Sequence, residues 1–516
     1  MRRGGGGSPT STRSTSSSTS PSSVSAPQAD RGARPDTRRR RLLRRLRTAF
    51  PWLVLAGILI SLLVNTARRL TNTDTYFHLR FGHEFLHGWS LRHPGSVSTF
   101  ATSHWVPTQW LSEIVMAKTE DWFGLAGVAW LSGLLEVLLF LGVYAAARTR
   151  SDPLVAMPVT AVALYAMQSG LSMRPQVVSY LLTAVVVMAW LRTLDDHRLR
   201  WWLVPLVWLW AMLHGMWPVA LMTGAVATVG LALDRAPRGV VLRSAAVTVS
   251  CAVAAAVTPV GPALYGGVVQ VGARATYFAE WQPPDWVSWG SAAFAVLLVA
   301  TLAGLWLRGR NSWTETLLIV LAGVFGAYSV RTVPVGAAML APLAAGPLQA
   351  LLGRRGRVGR REFRAVLAGS AATLVVLGLA VPHTSAEPLS EPGWTGPALD
   401  RLPAGTKVLD DWGLGGYLMW RYPKLDLVMH GYGDTFTTAE LDRNNGFVLT
   451  SPGWEQDLRA TGARVAVLRP WSLLAYALVA QEGWTVVHRS ETLELLHAPP
   501  GWSSPAPAVA PPGFSG

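Results

Sequence analysis

The hydrophobic positions of this chain gather into long runs broken by short polar stretches, and this holds from Phe50 to about residue 382. An α-helix rises 1.5 Å per residue, so about 20 apolar residues cross the 30 Å hydrocarbon core of a bilayer. The runs predict membrane-spanning helices near 50–67, 123–147, 153–169, 176–192, 201–214, 217–233, 244–261, 290–307, 314–329, 333–352 and 365–382, eleven in all. Beyond residue 383 the apolar segments shorten. Strands are predicted at Lys407–Asp410, Asp426–His430, Val465–Leu468, Thr485–His488 and Leu493–His497, with helices at Gly415–Trp420 and Leu473–Ala480. The fold class expected is therefore an all-α polytopic membrane protein with a small C-terminal α/β domain. Residues 1–30 are Ser, Thr, Gly and Pro and cannot bury enough apolar surface to fold, and the Pro/Ala/Ser-rich end from Ser503 is expected to fray.

Arginine in the polar breaks orients these helices. With the N-terminus inside, the inner loops carry Arg148 and Arg150; Arg192, Arg198 and Arg200; Arg235, Arg238 and Arg243; Arg308 and Arg310; and six arginines from Arg354 to Arg364. Three of the outer loops hold only Arg174, Arg274 and Arg331. The first, about 68–122, adds Arg68, Arg69, Arg80 and Arg92 but is long. Cation-rich loops thus alternate with the predicted spans, as the positive-inside rule requires. An odd number of spans leaves the N-terminus cytoplasmic and residues 383–516 outside the cell membrane.

Composition agrees: half the residues are hydrophobic, 15% are charged, and the mean hydropathy is +0.29. Of the formal charge of +15, ten units lie in residues 1–47, where twelve Arg face two Asp. A basic tract of this kind can bind nucleic acid, but directly before a transmembrane helix it is held at the cytoplasmic face by anionic lipid. The reading adopted is the lipid one, with no nucleic-acid partner. A single cysteine, Cys251, excludes an intramolecular disulfide and a cysteine-based metal site. No small-residue cleavage site follows the first apolar run, which argues against a signal peptide.

The candidate chemistry lies in the first outer loop. Asp74 and His78 are four residues apart and share a helical face; Arg80, His83 and Glu84 follow, and Gln109 and Glu113 are again four apart. A carboxylate beside histidines at the water–lipid boundary can act as a general base or hold a divalent ion. The same residues, with Tyr76, Trp105 and Trp110, also fit an ordinary interfacial belt. Arg174, His214, Glu280 and Arg331 sit at the outer ends of other predicted spans. Ionisable groups at that depth usually face a cavity, although Arg174 and Arg331 could equally be snorkelling anchors.

At these residues the chain resembles the GT-C-type membrane glycosyltransferases, and within them a bacterial branch related to polyprenyl-phosphate-sugar-dependent transferases. The resemblance rests on Asp74-Thr-Tyr-Phe-His-Leu79, the Gly82 to Gly88 stretch, and Trp105-Val-Pro-Thr-Gln-Trp-Leu-Ser-Glu113. It extends through Arg174-Pro-Gln, His214-Gly, Glu280-Trp-Gln-Pro-Pro-Asp285, Arg331-Thr-Val-Pro and Asp410-Asp-Trp-Gly-Leu-Gly-Gly416. It covers about residues 50–500. It implies sugar transfer on the outer face from a polyprenyl-phosphate-linked donor to an envelope acceptor. Asp74, His78 and Glu113 are then the expected catalytic residues, and Arg80, His83, Glu84, Gln109, Arg174, His214, Glu280 and Arg331 the expected substrate-binding ones. Members of the wider class often pair two acids in this loop, whereas Asn72 and Thr75 flank a single Asp74 here. A divalent metal is therefore possible but not implied by these residues, and no other cofactor is expected. The domains expected are a disordered basic arm at 1–47, a transmembrane domain at 48–382, an extracytoplasmic domain at 383–502 and a tail at 503–516. The rival reading is a non-catalytic transport or envelope-assembly protein on the same scaffold.

Overall fold

The computed structural model describes residues 38–309, 311–353 and 359–502. The N-terminal arm up to residue 37, the basic loop 354–358 and the tail from 503 lie outside them. By its contacts the chain forms two units, residues 1–46 and residues 47–516. The described part of the first, 38–46, is helical. The second holds the helical bundle, the C-terminal sheet and the candidate site.

Among the described residues, seven helices are long and apolar enough to cross a membrane: Arg45–Thr66, Trp110–Arg148, Gln176–Asp196, Arg238–Ala256, Trp289–Arg308, Val330–Leu352 and Arg360–Thr384. Five apolar helices are shorter: Pro153–Ala166, Leu203–Leu213, Pro218–Leu233, Ala263–Ala273 and Trp313–Tyr328. Four of these stand where full spans were expected. At 11 to 16 residues they rise about 17–24 Å, less than a full hydrocarbon core. Their bounds lie within three residues of the expected ones, so the apolar runs were themselves this short. Ala263–Ala273 was not expected at all. The helix Trp110–Arg148 joins a segment of the first outer loop to the span expected at 123–147, across a kink at Gly124 with φ 63°.

The helix Val333–Leu352 is the most enclosed of these, buried along nearly its whole length. Its Gly, Ala and Pro content lets neighbours approach closely, the usual basis of helix packing in lipid. Beyond the bundle, five strands form one sheet in the order β2-β1-β3-β5-β4. They are β1 (Lys407–Asp410), β2 (Asp426–Leu427), β3 (Val465–Leu468), β4 (Thr485–Arg489) and β5 (Glu494–His497). β1 is parallel to β2 and β3, while β5 runs antiparallel to β3 and β4.

This sheet region is not packed by itself. Asp426 accepts hydrogen bonds from Ser98 Oγ at 3.0 Å and from the Thr99 N–H at 2.9 Å, and the Ser103 N–H donates to Thr435 O at 3.0 Å. One hydrophobic cluster joins Tyr76, Phe77 and Phe81 of the helix Thr73–Leu86 to Tyr417, Leu418 and Tyr432. Gly416 permits the contact, because a Cβ there would lie 2.4 Å from Thr73 O. The outer loop is thus clamped between the bundle and the sheet. The carboxyl ends of β1 and β2 open toward it, the end at which parallel sheets most often present ligand-binding loops.

Candidate functional site

The helix Thr73–Leu86 begins at Asn72, whose side-chain oxygen accepts from the Asp74 N–H at 2.9 Å. That cap fixes Asp74 in the first turn, where backbone N–H groups favour an anion. His78 lies one turn on. Gly82, a further turn along, presses against the start of Trp110–Arg148: a Cβ there would sit 2.1 Å from Glu113 O. This close approach lets His78 Nδ1 meet Glu113 Oε1 at 3.0 Å, with both side chains buried. Glu113 Oε2 is buried and has no hydrogen-bond partner among the described residues.

Three further segments converge on Asp74. Arg174, in the turn before Gln176–Asp196, places Nη1 2.8 Å from Asp74 Oδ2 and 3.4 Å from Glu280 Oε2. Its Nε donates to Ser172 Oγ at 3.1 Å. Glu280 lies in the short turn Ala279–Trp281 and also pairs with Arg331 Nη1. Arg331, in the turn Val330–Thr332 that leads into Val333–Leu352, lies 5.3 Å from the centre of the Trp281 ring. Asp74, Arg174, Glu280 and Arg331 therefore form one continuous ion chain. His214, just past Leu203–Leu213, accepts or donates at Ser179 Oγ at 2.8 Å, and Gln109 Nε2 donates to Tyr432 OH at 3.4 Å.

These groups line a cavity of ≈ 570 Å³. Its polar lining includes Asp74, His78, Gln109, Arg174, His214, Glu280 and Arg331. Its apolar lining includes Val219, Met222, Val268, Val271, Phe325 and Tyr328. Met222 and Tyr328, on two of the apolar helices, are exposed. Burial, followed by the charges of Arg174, His214 and Arg331, holds the His78 imidazole well below its ordinary pKa, so it is neutral near pH 7.

The cavity also contains residues to which sequence reading gave no role. Arg274 Nη1 donates to Asp434 O at 2.9 Å and to Gly433 O at 3.3 Å, and Tyr432 and Asp434 complete the wall. Burial raises the Asp434 carboxyl above its ordinary pKa, against the opposing charges of Arg274 and Arg331. The available signal was Gly431-Tyr-Gly-Asp434 directly after a predicted strand, which the structure pairs in parallel with β1, a place where loops meet ligands.

Arg80, His83 and Glu84 are not brought into the cavity. At 100° per residue they lie on the other side of Thr73–Leu86 from Asp74 and His78. Arg80 pairs with Glu84 at 2.6 Å, His83 Nε2 meets Glu120 Oε2 at 2.9 Å, and all three line a separate groove with His87, Trp420 and Arg421. Among the described residues, no group of three or more His, Cys, Asp or Glu is placed to hold a metal ion. Asp74 and Glu280 share Arg174 instead, so these acids as arranged do not fit a divalent ion.

Taken together, the helices and the sheet define a mostly helical protein with several helices long and apolar enough to cross a membrane and a small C-terminal sheet. The structure is similar to the archaeal oligosaccharyltransferase AglB from Archaeoglobus fulgidus in complex with an inhibitory peptide and a dolichol-phosphate (TM-score 0.53, 12% identity, covering 89% of this chain and 75% of that one). It is also similar to the Archaeoglobus fulgidus oligosaccharyltransferase tethered by a disulfide to an acceptor peptide containing the NVT sequon (TM-score 0.53, 13% identity, 82% and 69%). A third similar structure is that enzyme's complex with Zn and sulfate (TM-score 0.50, 12% identity, 84% and 72%). At such identities the likeness is one of fold. No family model matches the sequence, and a search of curated proteins finds no match.

Proposed function

We propose that this protein is a membrane glycosyltransferase that moves a sugar from a polyprenyl-phosphate donor to an envelope acceptor at the outer face of the cell membrane. The observation that carries the reading is the cavity itself. Asp74, Arg174 and Arg331 share it with an apolar lining from the bundle helices, of which Met222 and Tyr328 are exposed. An amphiphilic donor fits such a space: its prenyl chain lies along the apolar lining and its phosphate meets the guanidinium groups, which bind phosphate through paired N–H donors. Asp74 takes the proton from the acceptor hydroxyl as that oxygen attacks the anomeric carbon, and the bond to the phosphate breaks. Gln109 and His214 line the space beside the sugar. His78, backed by Glu113, orients the acceptor as a neutral hydrogen-bonding ring. The outward orientation follows from the alternation of arginine-rich loops along the sequence.

The test is consumption of lipid-linked sugar by purified protein in lipid nanodiscs, across a panel of polyprenyl-phosphate sugars, beside an Asp74→Asn variant. Turnover by the wild type that the variant lacks is the expected result. A folded wild type that consumes no donor on the panel would favour the transport or envelope-assembly reading.

A further inference from the structure

We infer that Glu280 does not bind the substrate but competes with it. Its carboxylate occupies the place of the donor's phosphate between Arg174 and Arg331 and leaves when the phosphate arrives. The inference rests on the reading above, that the cavity takes a polyprenyl phosphate.

The argument starts from the geometry of the bridge. Glu280 gives one oxygen to each arginine: Oε2 lies 3.4 Å from Arg174 Nη1, and Oε1 pairs with Arg331 Nη1. A tetrahedral phosphate with two free oxygens presents the same pattern to two guanidiniums. The arginines also hold donors in reserve. Arg331 Nε is buried without a hydrogen-bond partner. Among the described residues, neither arginine's Nη2 is hydrogen-bonded within the cavity. A carboxylate therefore leaves part of the clamp unfilled, and a phosphate has more acceptor oxygens to fill it.

The three side chains differ in how firmly they are held. Arg174 is anchored by Ser172 and Asp74, with its side chain 13% exposed. Arg331 rests against Trp281 and stands at the head of the most enclosed helix, 22% exposed. Glu280 is 33% exposed and sits on a short turn, its side chain hydrogen-bonded among the described residues to the two arginines alone. When an anion enters, the carboxylate is the group free to swing toward water. In the empty protein it does necessary work: two guanidiniums facing one cavity repel, and the shared carboxylate keeps them together.

The consequence has a definite sign. A residue that binds substrate weakens binding when removed; a resident competitor strengthens it. The experiment measures binding of undecaprenyl phosphate to the full-length protein in nanodiscs, with undecaprenol and inorganic phosphate as separate arms. Glu280→Gln keeps the shape and removes the charge. It should bind undecaprenyl phosphate about tenfold more tightly than wild type, the scale of one displaced ion pair in a partly buried site. Undecaprenol should bind both proteins equally, and a gain with inorganic phosphate as well would assign the effect to the phosphate group alone. Glu280→Asp, which keeps the charge but shortens the reach by one methylene, should fall between the two and serves if the Gln variant does not fold. Equal or weaker binding by folded Glu280→Gln overturns the competitor role and leaves the proposed function standing. If neither protein binds undecaprenyl phosphate in preference to undecaprenol, the reading of the cavity as a lipid-phosphate site fails, and this inference with it.

Discussion

At one end of the bundle Arg148 gives Nε and Nη2 to the two oxygens of Glu362, at 2.6 and 3.0 Å, and Tyr144 OH donates to the same carboxylate at 2.8 Å. Nearby, Asp234 accepts from Ser312 Oγ, from the Trp313 and Thr314 N–H groups and from Thr314 Oγ1, closing the start of Trp313–Tyr328. At the other end of the same helices the residue types are similar; some pairing is incomplete at both ends, since Arg308 Nε at the first is buried without a partner among the described residues. Arg331 Nε and Glu113 Oε2 are buried without partners, and the ion chain from Asp74 to Arg331 borders a cavity. An unpaired buried polar group costs about 1–3 kcal/mol, so its persistence needs a reason. At the first, closed end charge joins helices; at the second, open end a chain of ion pairs borders a cavity.

Substitutions at the two ends should separate these roles. The largest effect is expected at the open end: Asp74→Asn should lower sugar transfer about 100- to 10,000-fold, as loss of a general base does, with an unchanged unfolding temperature. A parallel fall in thermal stability would move Asp74 to the structural class. At the closed end Arg148→Ala leaves Glu362 uncompensated and should cost about 3–5 kcal/mol of stability. Denaturation in detergent measures this, and the folded fraction should keep wild-type affinity for undecaprenyl phosphate. Third, Arg331→Leu should weaken that affinity about 10- to 100-fold with little change in stability, the range for losing a charge-assisted pair. Unaltered binding would blur the distinction between the ends.

A last effect, spread over pH rather than read at one condition, concerns the sheet. Burial pushes Asp410 up to about 7 and His430 down to about 3. Folded Asp410 keeps a proton that the unfolded chain releases above its ordinary pKa of 3.8, so this contribution is lost as pH rises from there to about 7. Folded His430 refuses a proton that the unfolded chain binds below 6.5, so its contribution is lost as pH falls through that value toward 3. The slopes oppose each other. Asp410→Asn removes the first, so stability should fall more steeply on acidification from pH 6.5 to pH 4, by up to about 1.4 kcal/mol per pH unit. Melting temperatures of the two proteins across that range check it; parallel curves would sink it.

Several of these elements were legible in advance. Asp74 stood in the first outer loop and Arg174, Glu280 and Arg331 at the ends of apolar runs, where a charge calls for a cavity, and they meet. The strands at 407–410 and 465–468 were read to the residue, because short apolar segments between polar turns have few other structures open to them. The helices Thr438–Leu449 and Trp454–Thr461 went unread, being polar and held by capping and tertiary contacts rather than by a hydrophobic run. Arg80, His83 and Glu84 were grouped with Asp74 by nearness along the chain, and helical rotation turned them away.

Hydrophobic run length alone determined that this chain is built of helices for a bilayer, since lipid admits a backbone only when its hydrogen bonds are satisfied within the segment. Which helices are full length and which polar groups share a cavity was decided only in three dimensions. So was the pressing of the sheet's open end against the outer loop. Those outcomes depend on close approaches such as Gly82 to Glu113 and Gly416 to Thr73. Each is a contact between segments far apart in sequence, and no local pattern encodes the partner.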